Sequence, residues 1–429
     1  MSGNSIYGYN AIIKEYANYP SRLPLLFNGD HGWSSDTEFN PHDLRGDQPL
    51  MLVLNRRRLQ AWNERSSIPA AILGAPFVHY RKIMQIEKDI TAEGTVAFPA
   101  HSTELTDALF DIDEYCEKLK SLPLEFHPIT ICLHVDDLAR KKDEIYIKHG
   151  FKIVTAGPKF VPGFEFVQKF YEILRSHNYA TSNEVGSYSF YAVEMNIPFF
   201  IFGEPNYYQN CENESRPYQC SIYDFPMGVF ATAMFPGPTQ VISEEQTKFV
   251  EEELGVHDCL SGIELRQLLL EGNNRVIEAY EEFLKTGQGG VEDKNSTCLK
   301  LVNYFQNSGE EDKQLQYILK SFQYATPSAE LCCHLGCYFL NKQQYEQGVF
   351  WYRLANQLEK PIDRWFEYLS NIQLCVCYDR LGKHQLAYEH NEIAGKARPG
   401  DGTVLHNKNY LERVYGIGAP AKKEVVQEN

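Results

Sequence analysis

Short apolar runs of strand length recur in the first 90 residues, and polar residues follow each of them. Leu23–Phe27, Leu50–Leu54 and Ala70–Leu73 predict three strands, while Arg56–Glu64 predicts a helix between the second and the third. The alternation of strands with helices is typical of a small α/β layer. Only three strands are predicted in this first region.

A second and longer series of strands and helices follows. The predicted strands are Thr95–Phe98, Ile129–Leu133, Phe151–Thr155, Tyr179–Thr181 and Pro198–Phe202. The predicted helices are Leu105–Lys120, Ala139–His149, Phe164–His177 and Ser187–Met195. Strands separated by helices of about 10–15 residues indicate βαβ units and a parallel sheet.

The pattern becomes helical after residues 207–234, which are predicted to be irregular. Ser243 followed by Gln246 forms a capping-box pattern at the start of a helix. The other segments predicted here are the helices Ser243–Leu254, Ile263–Leu270 and Val276–Lys285 and the linker Gly287–Lys294.

Two segments between Ser296 and Tyr415 repeat one spacing of small and aromatic residues. The first runs from Leu335 to Ala355, and the second runs from Leu374 to Ala394. This spacing resembles the one found in tetratricopeptide repeats, where small residues let the two helices of a pair approach closely. A plain helical bundle is the alternative. The spacing implies an insertion at 361–365, and the tail from Ala419 onward is expected to be disordered.

Composition narrows the class of protein. The net charge of −16, with 57 acidic and 41 basic side chains, argues against a nucleic-acid surface, which needs clustered Lys and Arg. The 11 cysteines form no CxxC pair, which favours reduced core residues and a cytoplasmic location over a zinc site. The chain starts with no signal-peptide pattern and has no apolar run of the ~20 residues that span a bilayer.

The strongest candidate site is the polar turn between the strand at Tyr179 and the helix at Ser187. Gly186 lets a backbone approach a ligand closely, and the helix that follows directs its positive end at the turn. A phosphate or carboxylate is expected to bind there. An ordinary capped helix is the alternative. The turn residues predicted to contact an anion are Ser182, Asn183, Glu184, Gly186 and Ser187.

Other polar residues follow predicted strands, where ligand sites of α/β folds lie. Asp30 and His31 follow the first strand, and they predict either an acid/base pair or a glycine-bracketed turn. Asp136 and Asp137 are interpreted mainly as the N-cap and first turn of a helix. The remaining candidates after strands are His101, Ser102, His134, Gly157 and Lys159.

Several common motifs do not occur in the chain. The sequence contains no GxGxxG, GxxxxGK[ST], GxSxG or HExxH pattern. These absences argue against a dinucleotide dehydrogenase, a P-loop enzyme, a GxSxG hydrolase and an HExxH metalloprotease.

Taken together, these segments resemble bacterial surface-polysaccharide glycosyltransferases of the GT-B type, over roughly residues 23–270. The segments that carry the resemblance are Gly29–Ser34, Gly94–Ser102, His149–Gly157 and Thr181–Ser187. The tail resembles the tetratricopeptide segments attached to bacterial glycosyltransferases, especially in Tyr345–Ala355 and Leu374–Gly382. The fold implied is α/β, with two Rossmann-like halves of which the first is short, followed by an all-α tetratricopeptide-like domain.

The resemblance implies a nucleotide-sugar donor, no metal and no further cofactor. It assigns His31, with Asp30, as the base for an acceptor hydroxyl, and His101 as a donor contact or an acid. Fixed N–H donors suit this chemistry because the leaving nucleotide gathers negative charge. The residues implied to bind the donor and its phosphates are Ser102, His134, Gly157, Ser182, Asn183, Glu184, Gly186 and Ser187.

The expected function is transfer of a sugar to a glycan or protein acceptor in surface polysaccharide or glycoconjugate synthesis, with a protein partner on the helical repeats. The alternatives are a non-catalytic tetratricopeptide scaffold with a degenerate transferase domain, and a nucleotide-sugar epimerase. The predicted regions are an N-terminal half (1–90), a nucleotide-sugar-binding half (91–245), a helical connector (246–290), the repeat domain (291–418) and a disordered tail (419–429).

Overall fold

A computed structural model describes residues 3–39, 41–44, 48–161, 163–210, 219–286, 290–358 and 363–417. Two compact units divide the chain between Val276 and Ile277, and Arg22–Pro24 group with the second unit. The first unit is mixed α/β and contains three small sheets, whereas the second is helical. Across these described ranges, no helix is both long and apolar enough to cross a membrane. The predicted tail from Ala419 lies outside them.

The strands of the first unit are short, and most of them are buried. In chain order they are β1 Asn28–Gly29, β2 Met51–Val53, β3 Ala70–Ile72, β4 Thr95–Ala97, β5 Thr106–Leu109, β6 Ile129–Cys132, β7 Lys152–Val154, β8 Tyr179–Ser182, β9 Phe199–Ile201, β10 Tyr207–Asn210 and β11 Gln219–Cys220. 3₁₀ turns lie at Gly3–Gly8, Leu124–Phe126 and Ile222–Asp224.

The helices of this region follow in chain order, and the last of them continues past Val276 into the second unit. They are α1 Tyr9–Tyr16, α2 Pro41–Leu44, α3 Arg56–Asn63, α4 Pro76–Ile83, α5 Ile112–Lys120, α6 Val135–Ala139, α7 Asp143–Lys148, α8 Glu165–Arg175, α9 Ser187–Glu194, α10 Pro226–Ala233, α11 Glu244–Glu253 and α12 Gly262–Thr286.

The first sheet is parallel, with the order β1-β2-β3. Its three strands were predicted, but the placement of the first at Leu23–Phe27 was wrong. The amides of Asn28 and Asp30 donate to carbonyls of Leu50 and Leu52, so that pairing begins after the apolar run. The run also contains a proline, which has no amide hydrogen to donate to a sheet.

The second sheet has five parallel strands in the order β7-β6-β4-β8-β9. Strands β4 and β6 are buried along their whole length, as expected for a parallel sheet covered on both faces. The chain adds β6 and β7 on one side of β4 and then returns to add β8 and β9 on the other. The loops that leave β4 and β8 therefore lie side by side at the point where the winding reverses.

Three predicted segments of the first unit were wrong. Leu105–Lys120 is a strand followed by a helix, because β5 pairs with β10 and Asp111 caps α5. Ala139–His149 is interrupted at Lys141, which adopts a left-handed backbone with φ 59°. The region 207–234 is partly regular: β10 joins β5 and β11 in a third, antiparallel sheet, and α10 follows.

Two helix predictions near residue 260 have different outcomes. The capping box of Ser243 and Gln246 is confirmed at the start of α11, since each residue bonds the backbone amide of the other. The separate helices at 263–270 and 276–285 were wrong, because α12 is continuous. Its Asn273 is buried and donates to the Tyr19 hydroxyl at 2.7 Å, so this weak helix former is held in place.

The described part of the second unit consists of successive helices. They are α13 Val291–Ser308, α14 Glu311–Ser321, α15 Ala329–Asn341, α16 Tyr345–Leu358, α17 Arg364–Arg380, α18 His384–Ala397 and α19 Gly402–Tyr415. Turns of two or three residues make α13–α14, α15–α16 and α17–α18 antiparallel pairs. The predicted linker at 287–294 extends too far, because helix α13 begins at Val291.

Small residues occupy the close approaches between these helices. A Cβ built on Gly336 would lie 2.6 Å from the ring of Tyr352, and one on Gly348 would lie 3.2 Å from the sulfur of Cys377. The first helices of the three pairs begin at residues 291, 329 and 364, near the ~34-residue spacing of tetratricopeptide repeats. The second unit is thus an array of helix pairs of the predicted tetratricopeptide-like kind.

Candidate functional site

A cavity of about 540 Å³ lies within the first unit. The loop after β1 and the loops after β4, β6, β7 and β8 all contribute to its lining. Carboxyl ends of parallel strands are where ligands bind in α/β folds. The sequence-predicted residues that line this cavity are Asp30, His31, His101, His134, Gly157, Gly186 and Ser187.

Asp30 holds the loop after β1 in place. Its carboxylate accepts from the Arg58 guanidinium at 2.8 and 3.2 Å and from the amide of Leu54 at 2.9 Å. The side chains of Asp30 and Arg58 are 8% and 7% exposed, so this is a buried ion pair. The contacts of the Asp30 carboxylate therefore fix the loop on which His31 stands.

The same loop is attached to the start of α9. The amide of Trp33 donates to the Ser187 hydroxyl at 2.9 Å, and the indole N–H donates to Glu253 at 2.7 Å. Gly32 has a φ of 146°, and a Cβ there would lie 2.6 Å from the Ser187 oxygen. The approach between the two loops therefore requires glycine at this position.

The turn after β8 has the predicted strand–turn–helix form, with α9 beginning at Ser187. Gly186 is its extended N-cap, and the Gly186 amide donates to the Ser189 hydroxyl at 3.1 Å. Gly186 and Ser187 line the cavity, so the first-turn amides and the positive end of α9 lie at its wall. This arrangement is suited to an anion.

Three other turn residues predicted to contact the donor lie beneath the cavity lining. Ser182 and Asn183 are fully buried, and the Asn183 side chain accepts from the amide of Ala100 at 2.9 Å. This hydrogen bond connects the loop after β4 to the turn after β8. Burial raises the pKa of the Glu184 carboxyl to about 7, although the hydroxyl of Tyr208, which donates to it, opposes the rise.

His101 and His134 face each other in the cavity wall, with ring centroids 4.9 Å apart. Burial and the neighbouring His134 lower the pKa of His101 to about 4, against the opposing effect of Asp136 and Asp137. Burial also lowers the pKa of His134. Both imidazoles are therefore uncharged near pH 7.

The two ring nitrogens of His134 have different surroundings. The amide of Asp136 donates to Nδ1 at 3.3 Å, and an oxygen of the Asp136 carboxylate lies at the same distance from Nδ1. Nε2 is buried and has no hydrogen-bond partner within the described ranges. His134 therefore has one unpaired ring nitrogen beside the cavity that it lines.

Ser102 does not line the cavity and belongs instead to a buried network of hydrogen bonds with charged side chains. Its hydroxyl donates to Asp107 at 2.7 Å and lies 2.8 Å from the ammonium of Lys142, while its amide donates to Asp137 at 3.1 Å. Ser102 is fully buried. The network supports the loop that carries His101.

Aromatic residues make up much of the cavity wall and were not predicted to belong to the site. They are Tyr7, Tyr9, Trp33, Phe77, Phe98, Phe166, Phe170, Tyr188 and Tyr191. Tyr7 packs on Phe166 at 4.5 Å, and its amide donates to the Lys159 carbonyl at 2.6 Å. The many tyrosines near the N-terminus were the one feature of the sequence that could have indicated this aromatic lining. Their spacing, however, does not indicate a contact with residues 159 and 166.

Comparisons with known proteins match solved structures only. No protein-family model matches the chain, and no curated protein matches it. A crystal structure of MamA is 22% identical, with a TM-score of 0.30, and the match covers 35% of this chain and 81% of that one. The TPR domain of Arabidopsis OM64 is 13% identical, with a TM-score of 0.27 and coverage of 29% and 99%.

A third match is the first TPR of Spaghetti (RPAP3) bound to the HSP90 peptide SRMEEVD. It is 11% identical, with a TM-score of 0.27, and covers 29% of this chain and 94% of that one. TM-scores this low carry no argument about function. The tetratricopeptide-like description of the second unit rests on its own helix pairs, and the glycosyltransferase resemblance stays a prediction.

Proposed function

We propose that the first unit is a GT-B-type glycosyltransferase, with a Rossmann-like second half, that moves a sugar from a nucleotide-sugar to a glycan or protein hydroxyl. One observation carries the proposal: a single cavity brings His31, from the first parallel sheet, together with the start of α9, from the second. Its volume of about 540 Å³ falls within the roughly 300–1,000 Å³ of small-molecule sites.

The donor phosphates would bind at the start of α9. The first amides of α9 and the Ser187 hydroxyl would supply neutral hydrogen-bond donors, and the ring of His134, which also lines the cavity, would supply another polar contact. A bound anion favours protonation of His101, because an adjacent negative charge raises the pKa of an imidazole. His101 would then act as an acid only after the donor has bound.

In the proposed reaction His31 removes the proton of the acceptor hydroxyl. The hydroxyl oxygen forms a bond to the anomeric carbon, and the bond from that carbon to the phosphate oxygen breaks. The electron pair of the broken bond leaves with the nucleotide, whose charge the fixed donors around α9 stabilise. Asp30 contributes by holding the loop that bears His31, through its pair with Arg58.

The test is thermal unfolding with UDP, CDP, GDP, CMP and their sugar conjugates. A ligand that binds only the folded protein adds about 2.7 kcal/mol of stability at 100 times its dissociation constant. Ser187→Ala is expected to reduce the rise in melting temperature. Ser176→Ala is the matched control, since Ser176 lies outside this cavity and bonds the Ile173 carbonyl. If no nucleotide raises the melting temperature, the transferase proposal fails.

The second candidate function is a non-catalytic scaffold that binds a protein segment through its helical unit. The observation that favours it is the array of three helix pairs, because stacked repeats offer extended surfaces for partners. Exposed apolar side chains on these helices include Phe350, 60% exposed, and Trp365, 50% exposed. A null result across the nucleotide panel would leave this function as the better account.

A further inference from the structure

The first residues of the chain contribute to the wall of the cavity. The segment Gly3–Gly8 packs against both β1 and α8, and two tyrosines of this region, Tyr7 and Tyr9, line the cavity. The rings of Tyr7 and Phe166, on α8, have their centroids 4.5 Å apart, and the Tyr9 hydroxyl donates to the His31 carbonyl at 3.0 Å. The N-terminal chain therefore connects the loop after β1 with α8 at the cavity wall.

The segment Gly3–Gly8, which we call the strap, lies beside the loops that follow β6 and β7. The Tyr7 amide donates to the Lys159 carbonyl, in the loop after β7, at 2.6 Å. The Lys159 ammonium in turn lies 3.6 Å from the Asp136 carboxylate, in the first turn of α6. Cys132, the last residue of β6, lines the cavity just before this turn. The strap therefore lies beside the part of the cavity that Cys132 lines.

The backbone of the strap is strained in this position. Tyr7 has a φ of 54°, a left-handed conformation that is unfavourable for a residue with a side chain. Gly8 has a φ of 79°, and a Cβ there would lie 2.2 Å from the Gly163 carbonyl oxygen. Among the described residues, one backbone hydrogen bond, that of the Tyr7 amide, links the strap to the loop after β7. Strain of this kind persists only where surrounding contacts hold it, and it is frequent at ligand clamps and switch regions.

We propose that the strap is a lid of the cavity, which lifts from Lys159 and Phe166 to admit a ligand and then closes again. When the strap lifts, Tyr7 leaves its left-handed conformation, and the release of strain offsets part of the lost packing on Phe166. Segments held by few contacts are the ones that open locally while the rest of a protein stays folded. The lid is a property of the free protein, so it does not rest on the proposed function.

The test is alkylation of the natural cysteines with N-ethylmaleimide, followed at peptide resolution by mass spectrometry. Cys132 lines the cavity, whereas Cys116 is fully buried in a hydrophobic core and does not line it. Burial raises the pKa of both thiols to about 12, so neither should react quickly while it is covered. Cys132 should therefore report opening of the strap, and Cys116 should report unfolding of the surrounding core.

Gly8→Ala should raise the alkylation rate of Cys132 about tenfold and leave that of Cys116 unchanged. The reason is that alanine at this position overlaps the Gly163 carbonyl unless the strap has lifted. Gly150→Ala is the matched control, because Gly150 has a similar φ of 87° and no neighbouring atom within 4 Å of the added Cβ. It should leave the ratio of the two alkylation rates unchanged.

Tyr7→Ala, which removes the ring that packs on α8, is the second variant and should also raise the ratio of the Cys132 rate to the Cys116 rate. The proposal is overturned if neither Gly8→Ala nor Tyr7→Ala raises this ratio, or if Gly150→Ala raises it equally. If both thiols react faster in Gly8→Ala, that variant has lost its fold, and an unchanged ratio in Tyr7→Ala overturns the proposal by itself. A lack of nucleotide binding would refute the proposed function and leave this test intact.

Discussion

Acidification is expected to destabilise the first unit through His101. Its pKa is about 4 in the folded protein and 6.5 without the fold. Between pH 6.5 and pH 4, His101 binds a proton in the unfolded chain but not in the folded protein. The free energy of unfolding therefore falls as the pH drops below 6.5, and it stops falling below pH 4. Lowering the pH from 7 to 5 should cost about 2 kcal/mol from this residue alone.

The assay is urea unfolding at pH 7 and pH 5, followed by tryptophan fluorescence. Trp351→Phe and Trp365→Phe in the starting protein restrict the signal to the first unit. His101→Asn should lose about 2 kcal/mol less than the starting protein between the two pH values, because asparagine does not titrate. The exposed His257 provides the control, and His257→Asn should retain the original pH dependence. Equal losses with and without His101 would refute the account of a buried neutral imidazole.

Two further substitutions test the packing of each unit. Asp30→Asn should cost about 1–3 kcal/mol in urea unfolding, because the buried Arg58 loses its carboxylate partner at 2.8 Å and keeps only Asp36, at 3.8 Å. A loss of turnover or nucleotide binding with unchanged stability would instead assign Asp30 a direct chemical role. Gly336→Ala should cost about 1–3 kcal/mol through overlap with Tyr352. Gly402→Ala, where the space is open, should be near neutral, and equal costs at both glycines would contradict the close packing.

The position of the candidate site was predictable from the sequence because it depends on the order of strands and polar residues along the chain. Apolar runs set the strands, and the residues just after them occupy the carboxyl edge of a parallel sheet. His31, His101, His134 and Gly186 reach one cavity for this reason. The turn and helix start at Ser187 follow from the same local pattern.

The direction of individual side chains was not predictable in the same way. Within one short turn, Ser187 lines the cavity while Asn183 points beneath it, where it accepts the Ala100 amide. That difference depends on a neighbouring loop 83 residues away in the chain. Tyr9 likewise reaches His31 only through tertiary contacts. Patterns within one segment contain no information about such partners.

The central claim is that a nucleotide binds where the loop after β1 meets the start of α9. Hydrogen–deuterium exchange with and without the best nucleotide of the panel tests this claim most directly. The account predicts added protection in peptides that cover residues 29–34, 98–103 and 183–191, with the helical unit unchanged. Protection confined to residues 291–417, or none at these loops at saturating nucleotide, would contradict it.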